Sequence, residues 1–235
     1  MNATSTPAGG TVRTTLDRVT AAGFRTTRRG RLVSIASAVY VASWVTGLAL
    51  APSTPAATAS AEQIHAYYAT EGTSILVQSS LIHGIAGIAI AVLALAIPAA
   101  TSASAAIGRL IRAAGIAAAL VSLLQVAFAA VAVATSSTAT ASASERLFDD
   151  LNVADTVKLT LLAAFAATVT LAAARARMIG RSTGVLTAAL VVSLPVGGAA
   201  FVIDNPLLTA VLYASLPLLL IWVAALGWQV GRRAH

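Results

Sequence analysis

The 235-residue sequence contains no cysteine and few charged residues. Without cysteine, the chain forms neither a disulfide framework nor a thiolate metal site. Charged residues make up only 10% of the chain, whereas a typical soluble domain carries about 25%. Apolar residues account for 58% instead, and the mean hydropathy is +0.86. Because hydrocarbon is the medium that accepts so much apolar surface, this composition predicts a membrane protein.

Six long apolar runs follow a polar beginning. Residues 1–31 lack apolar periodicity and predict a disordered, basic cytoplasmic tail. The runs are too long for barrel strands, and a lipid-exposed backbone must satisfy its own hydrogen bonds, so each run predicts a helix. The expected fold is an all-α, polytopic transmembrane bundle. Its predicted helices are 32–51, 75–100, 110–134, 157–174, 184–203 and 207–228, and a short basic end follows at 230–235.

The basic residues lie mostly on one side of the predicted bundle. All of them except Arg146 and Lys158 fall on the side shared by the two chain ends, whereas most acidic residues fall on the other side. The positive-inside rule then predicts cytoplasmic N- and C-termini in a bacterial cytoplasmic membrane. Six arginines beside the apolar runs are expected to contact anionic lipid headgroups. They are Arg28, Arg29, Arg31, Arg175, Arg177 and Arg181.

Two outer segments are long enough to hold structure. Ser60 and Gln63 have the spacing of a capping box, which predicts a short helix over 61–71 that ends at Gly72. Residues 144–151 form an amphipathic pattern of one or two turns, and Asp155 is expected to cap the fourth spanning helix. A cleaved signal peptide is an alternative for the first run, but that run is longer than a usual signal core.

Polar side chains inside the spans are the first candidates for function, because each costs free energy in hydrocarbon unless it is partnered. The candidates are Gln78, His83, Gln125 and Lys158. Helical rise places His83 and Gln125 at a similar depth in the outer half. They are expected to form either a hydrogen-bonded pair that stabilises packing or the floor of an outward-facing polar cavity. In the second case His83 titrates or binds a ligand, because imidazole changes charge near neutral pH.

The sequence gives little support for an enzymatic site or a metal site. The sequence has no HExxH, no Walker A loop and no GxGxxG fingerprint, so no catalytic residue, metal site or cofactor is predicted. Three residues of the first outer segment remain as weak candidates for catalysis on lipid: Glu62, His65 and Glu71. The net charge of +7 would suggest nucleic acid in a soluble protein, but its sorting by side excludes that partner here.

The segment Arg175-Ala-Arg-Met-Ile-Gly-Arg-Ser-Thr-Gly-Val-Leu-Thr resembles the basic inner loop of the DUF4386-type six-helix membrane proteins of bacteria. The plan of three helical hairpins is similar as well. This resemblance implies a multi-pass membrane protein and carries over no functional residue.

We therefore expect a non-enzymatic binding or accessory component of the membrane. Its partners would be the lipid bilayer and either another membrane protein or further copies of itself. A small-solute transporter with a cavity near His83 and Gln125 is the alternative, and a lipid-modifying enzyme is a second one.

The absence of native cysteine allows a direct test of orientation. We expect an impermeant maleimide to label Ser53→Cys in intact cells and to label Ala176→Cys only after permeabilisation, because the arginine-rich connectors stay in the cytoplasm. Labelling of Ala176→Cys in intact cells, with Ser53→Cys protected, would reverse the orientation.

Overall fold

A computed structural model of the chain describes residues 10–51, 53–56 and 58–233, with side chains from residue 28 to residue 232. All regular structure in this part is helical, and six helices are long and apolar enough to cross a membrane, which confirms the predicted fold class. The α-helices are α1 (Gly10–Ala49), α2 (Ala61–Ser79), α3 (Ala86–Ala100), α4 (Ala105–Thr135), α5 (Ala141–Arg175), α6 (Arg181–Gly198) and α7 (Pro206–Arg233). A π-helical segment (Ser80–Ile85) joins α2 to α3 in one span, and a 3₁₀ turn (Ala199–Phe201) extends α6.

The six spans form a closed ring in chain order. α1 packs against α3, each later helix packs against the next one, and α7 returns to pack against α1. Short connections make sequential spans antiparallel. One end of the bundle, here called the basic face, therefore holds residues 28–31, the connections 101–104 and 176–180, and the end of α7. The opposite end, the acidic face, holds the connections 50–60, 136–140 and 202–205.

The half of the bundle next to the basic face is closed by packed side chains. Leu93, Phe165 and Trp222 are fully buried there. The rings of Phe165 and Trp222 meet edge to face at 6.4 Å, an arrangement that aromatic quadrupoles favour. The indole Nε1 of Trp222 donates to the Thr187 hydroxyl at 2.9 Å, and that hydroxyl lies 2.8 Å from the hydroxyl of Thr170. The interior of this half is thus packed and hydrogen-bonded.

At the acidic face, three helices continue beyond the length that a bilayer needs. α5 alone has 35 residues, or about 52 Å by helical rise, against a hydrocarbon thickness of about 30 Å. The start of α2, the end of α4 and the start of α5 share a second small core, which includes Ile64, Tyr68 and Phe148. We call this three-helix region the acidic-face extension.

Three local predictions about this region are wrong. The Ser60–Gln63 capping box is present, but Gly72 does not end the helix. A Cβ at Gly72 would lie 2.8 Å from a methyl of Val133, so this glycine serves a close approach between α2 and α4. Asp155 is not a cap either, because α5 begins after Thr140, whose hydroxyl accepts from the Ala143 amide. Residues 144–151 are likewise not a separate piece but part of the first turns of the continuous helix α5.

The polar beginning of the chain also differs from expectation. The backbone is helical from Gly10, inside the predicted disordered tail, whereas residues 1–9 lie outside the described part. A formed helix extends readily because each added residue contributes a hydrogen bond without a new nucleation cost.

The end of α6 is packed unusually closely against α7. A Cβ at Gly197 would lie 2.8 Å from the Cα and 2.9 Å from the amide nitrogen of Leu212. These are backbone atoms that cannot rotate away. Gly184, near the start of the same helix, has no such neighbour within 4 Å.

The different surroundings of Gly197 and Gly184 allow a comparison of two matched variants. We expect Gly197→Ala to lower the free energy of unfolding by about 1–3 kcal/mol through overpacking. Gly184→Ala should be neutral or stabilise the protein by up to about 1 kcal/mol, because alanine has the higher helix propensity. Equilibrium unfolding in mixed micelles measures both. Equal effects of the two substitutions would show that the α6–α7 contact is looser than described.

Candidate functional site

The candidate site surrounds Lys158, the single lysine of the chain. This residue lies about 17 positions before the end of α5, and His83 lies about as far before the end of α3. Helical rise puts both about 25 Å from the basic face, inside the hydrocarbon and in the half nearer the acidic face. Lys158 is 2% exposed. A cation at this depth is costly unless its hydrogen bonds are satisfied.

The Lys158 ammonium has three acceptors. Its Nζ lies 3.0 Å from Nδ1 of His83, 3.0 Å from Oε1 of Gln125 and 2.5 Å from Oδ1 of Asp155. Because an ammonium carries three hydrogens, its donor capacity is filled. Asp155 also supplies the opposite charge, so the group is neutral as a whole. We call these four residues the Lys158 cluster.

Each member is positioned by a different local feature. His83 lies in the π-helical segment Ser80–Ile85, and such one-turn π segments occur frequently at functional sites. Gln125 is fully buried on α4. Asp155 precedes Lys158 by one turn of α5, which is the spacing at which helical side chains meet.

The fourth neighbouring span, α1, contributes aromatic side chains. Lys158 Nζ lies 5.8 Å from the centroid of the Trp44 ring, within the range of a cation–π contact. Tyr40 packs against Trp44 with their centroids 6.3 Å apart. A cavity of about 10 Å³ lies between Tyr40, Trp44, Ser122 and Lys158, which is about the space of one water molecule.

Two polar atoms near Lys158 have no hydrogen-bond partner within the described part of the chain. They are the Tyr40 hydroxyl and Nε2 of Gln125. Asp155 and His83 are the partly exposed members of the Lys158 cluster, whereas Lys158 itself is buried.

The arrangement can be compared with the four residues singled out from the sequence. His83, Gln125 and Lys158 lie together, but His83 and Gln125 are bridged by Lys158 rather than bonded to each other. Gln78 is half-buried in α2 and makes no hydrogen bond to the Lys158 cluster among the described residues. Asp155 was expected as a cap, although its spacing from Lys158 was a readable signal. The approach of Trp44 has no local signal in the sequence.

The other sequence candidates lie outside the Lys158 cluster. His65 is in the acidic-face extension, where its Nδ1 lies 3.0 Å from the hydroxyl of Ser144, and Glu62 and Glu71 are on the same helix. No group of three metal-ligating side chains occurs in the part of the chain that the structure describes. The six arginines expected at lipid headgroups are all exposed at the basic face: Arg28, Arg29, Arg31, Arg175, Arg177 and Arg181.

Reasoning from the sequence missed one catalytic motif. Residues 180–184 read Gly-Arg-Ser-Thr-Gly, which matches the GxSxG pattern of serine hydrolases. That pattern requires a tight turn from a strand into a helix, with a histidine beside the serine. Here Gly180 precedes α6 in a helix-to-helix connection at the basic face, while His65 and His83 lie toward the acidic face. The match therefore lacks its structural context among the described residues.

Comparisons with protein-family models, with curated proteins and with solved structures find no match to this chain. The resemblance to DUF4386-type proteins accordingly stays a prediction.

The ion pair predicts an asymmetric response to substitution. Asp155→Leu leaves a buried ammonium without its counter-charge and should cost about 3 kcal/mol of unfolding free energy. Lys158→Met should cost less, because the remaining Asp155 carboxylate is partly exposed. The double variant Asp155→Leu/Lys158→Met should recover most of the loss, since an apolar replacement of both partners is often tolerated.

These free energies come from equilibrium unfolding in micelles near neutral pH. Thr160→Ala, an exposed position on the same helix, serves as the control and should be nearly neutral. Additive losses in the double variant would show that Asp155 and Lys158 do not form a coupled pair.

Proposed function

We propose that this protein is a non-enzymatic, multi-pass component of the bacterial cytoplasmic membrane that senses protons at the Lys158 cluster. In this proposal both termini are cytoplasmic and the acidic face is external. The observation that carries it is the hydrogen bond from the Lys158 ammonium to Nδ1 of His83, because a second proton on that imidazole removes the acceptor.

Protonation of the His83 imidazole would remove this contact. With Lys158 donating, Nδ1 of His83 is an acceptor and Nε2 carries the hydrogen. Protonation puts a hydrogen on Nδ1, so two donors and two positive charges then face each other. Asp155 is the one carboxylate in the Lys158 cluster and balances one of them. Gln125 and the aromatic rings of Tyr40 and Trp44 add no negative charge. The Lys158–His83 bond therefore breaks.

The position of His83 couples this event to helix packing. The π-helical segment joins α2, part of the acidic-face extension, to the membrane-embedded α3. A switch needs a local change of charge and an element with two arrangements. Release of His83 removes a bond that holds the π-helical segment to α5, and the segment can then relax toward α-helical pairing. In the proposal, the acidic-face extension transmits this change to a membrane-protein partner or a second copy.

Two features favour sensing over a purely structural role. A packed bundle needs no lysine, aspartate and histidine at this depth, because uncharged Ser, Thr or Gln side chains join helices at lower cost. In addition, Leu93, Phe165 and Trp222 are fully buried in the basic half, so in this proposal the proton arrives from the acidic face. A proton can enter the site without crossing the bundle.

A small-solute transporter is the second candidate, favoured by the convergence of α1, α3, α4 and α5 at the small cavity beside Lys158. A transporter must open the sealed basic half. Liposomes that contain the purified protein and an internal pH dye distinguish a sensor from a proton-coupled transporter. Under an imposed pH gradient, a sensor should give the same proton flux as protein-free liposomes. A flux that the protein catalyses and Lys158→Met abolishes would favour transport.

Trp44 provides a local reporter of the proposed switch. We expect the ¹⁹F resonance of fluorotryptophan at Trp44 to shift with one transition as the pH falls, because the nearby cation and His83 change together. The three tryptophans are assigned by single Trp→Phe substitutions, and the Trp222 and Trp228 resonances should stay constant.

The transition should disappear in His83→Gln and persist in His65→Gln, the matched control in the same span. A Trp44 resonance that does not move with pH, or one that moves identically in His83→Gln, would contradict proton sensing by this histidine.

A further inference from the structure

We propose that a groove between α1 and α7 binds one anionic phospholipid from the leaflet at the basic face. This inference is independent of the proton-sensing proposal, since the groove shares no residue with the Lys158 cluster. The groove has a volume of about 920 Å³ and opens to the membrane. That volume lies in the range of about 300–1,000 Å³ typical of small-molecule sites.

Close contact between the two helices at one end creates the groove. Gly227 and Gly231 of α7 form a GxxxG pattern, which lets helix backbones approach closely. The Ser34 hydroxyl donates to the carbonyl oxygen of Gly227 at 2.8 Å, and a Cβ at Gly231 would collide with Ser34. Farther into the membrane, the small exposed side chains of Ala42 and Ala224 leave the space between the helices unfilled. The apolar walls suit an acyl chain.

Two cations stand at the basic-face end of the groove. Arg31 of α1 and Arg232 of α7 both line it and both are exposed. The Arg232 guanidinium lies 4.7 Å from the centroid of the Trp228 ring, a cation–π contact that holds it beside the groove. Paired guanidinium groups at a membrane interface suit a lipid phosphate, because they bind its oxygens by charge-assisted hydrogen bonds.

A buried hydroxyl supplies a further, independent indication of a ligand. Ser37 lines the groove and is 2% exposed, and its Oγ has no hydrogen-bond partner in the described part of the chain. A buried hydroxyl without a partner is costly. An oxygen of a lipid ester or glycerol group is an acceptor of suitable chemistry at this depth.

Charge decides between a lipid and a second copy of the chain. A symmetric dimer through this groove would present the same patch on both sides and bring Arg31 and Arg232 toward their own counterparts. An anionic lipid neutralises both arginines. A zwitterionic lipid gains less, because its headgroup also carries a positive charge.

The test measures lipid retention by native mass spectrometry after the purified protein is exchanged into detergent with equal phosphatidylglycerol and phosphatidylethanolamine. We expect one tightly retained phosphatidylglycerol per chain. Arg31→Gln and Arg232→Gln should each weaken its binding about fivefold, and the double variant about 25-fold. The matched control is Arg109→Gln/Arg112→Gln, which removes two exposed arginines of the same face outside the groove.

A second variant tests the groove itself. Ala42→Phe fills the space but keeps both arginines, and it should also lose the retained lipid while eluting as a folded species in size-exclusion chromatography. Equal lipid binding by the Arg31→Gln/Arg232→Gln and control variants would overturn the proposal. So would efficient disulfide dimers of Ala42→Cys in membranes, because a second copy would then occupy the groove.

Discussion

A lysine ammonium in hydrocarbon must find an acceptor for each of its hydrogens, and the arrangement of the acidic half follows from that requirement. Lys158 meets it with one acceptor from its own helix, one from α4 and one from the π-helical segment. Because these acceptors belong to three spans, the ammonium fixes the relative positions of α3, α4 and α5. Trp44 adds contact from α1. The π-helical turn brings His83 to its place without a break in the span.

The two halves of the bundle are held by different interactions. Toward the basic face, apolar side chains interlock around Trp222 and close glycine contacts join α1 to α7. Since lipid gives no hydrophobic drive for helices to associate, such close packing stabilises that half. Toward the acidic face, the Lys158 cluster and the three-helix extension add to the close glycine contacts at Gly72 and Gly197. In the proposed function, the packed basic half supports a half whose central contact responds to protonation.

Composition and apolar run length sufficed for the helical class and the number of spans, because the solvent dictates both. The helix ends were less predictable. Residues 61–71 and 144–151 were expected as short, separate helical pieces of the outer segments, yet Ile64, Tyr68 and Phe148 form a separate core along helices that continue into the spans. Asp155 was within reach of sequence reasoning, because it stands one turn from Lys158. The π-helical turn at His83 and the approach of Trp44 depend on packing between distant segments, which local patterns do not encode.

Three protein acceptors hold the Lys158 ammonium, and this arrangement can be observed directly. Because the chain has a single lysine, ζ-¹⁵N-lysine labelling gives one side-chain signal for direct NMR observation in lipid. The account predicts an ammonium resonance whose hydrogens exchange slowly with water and whose chemical shift changes in both Asp155→Asn and His83→Gln. A resonance with the shift and fast exchange of a free lysine, unaltered by either substitution, would contradict it.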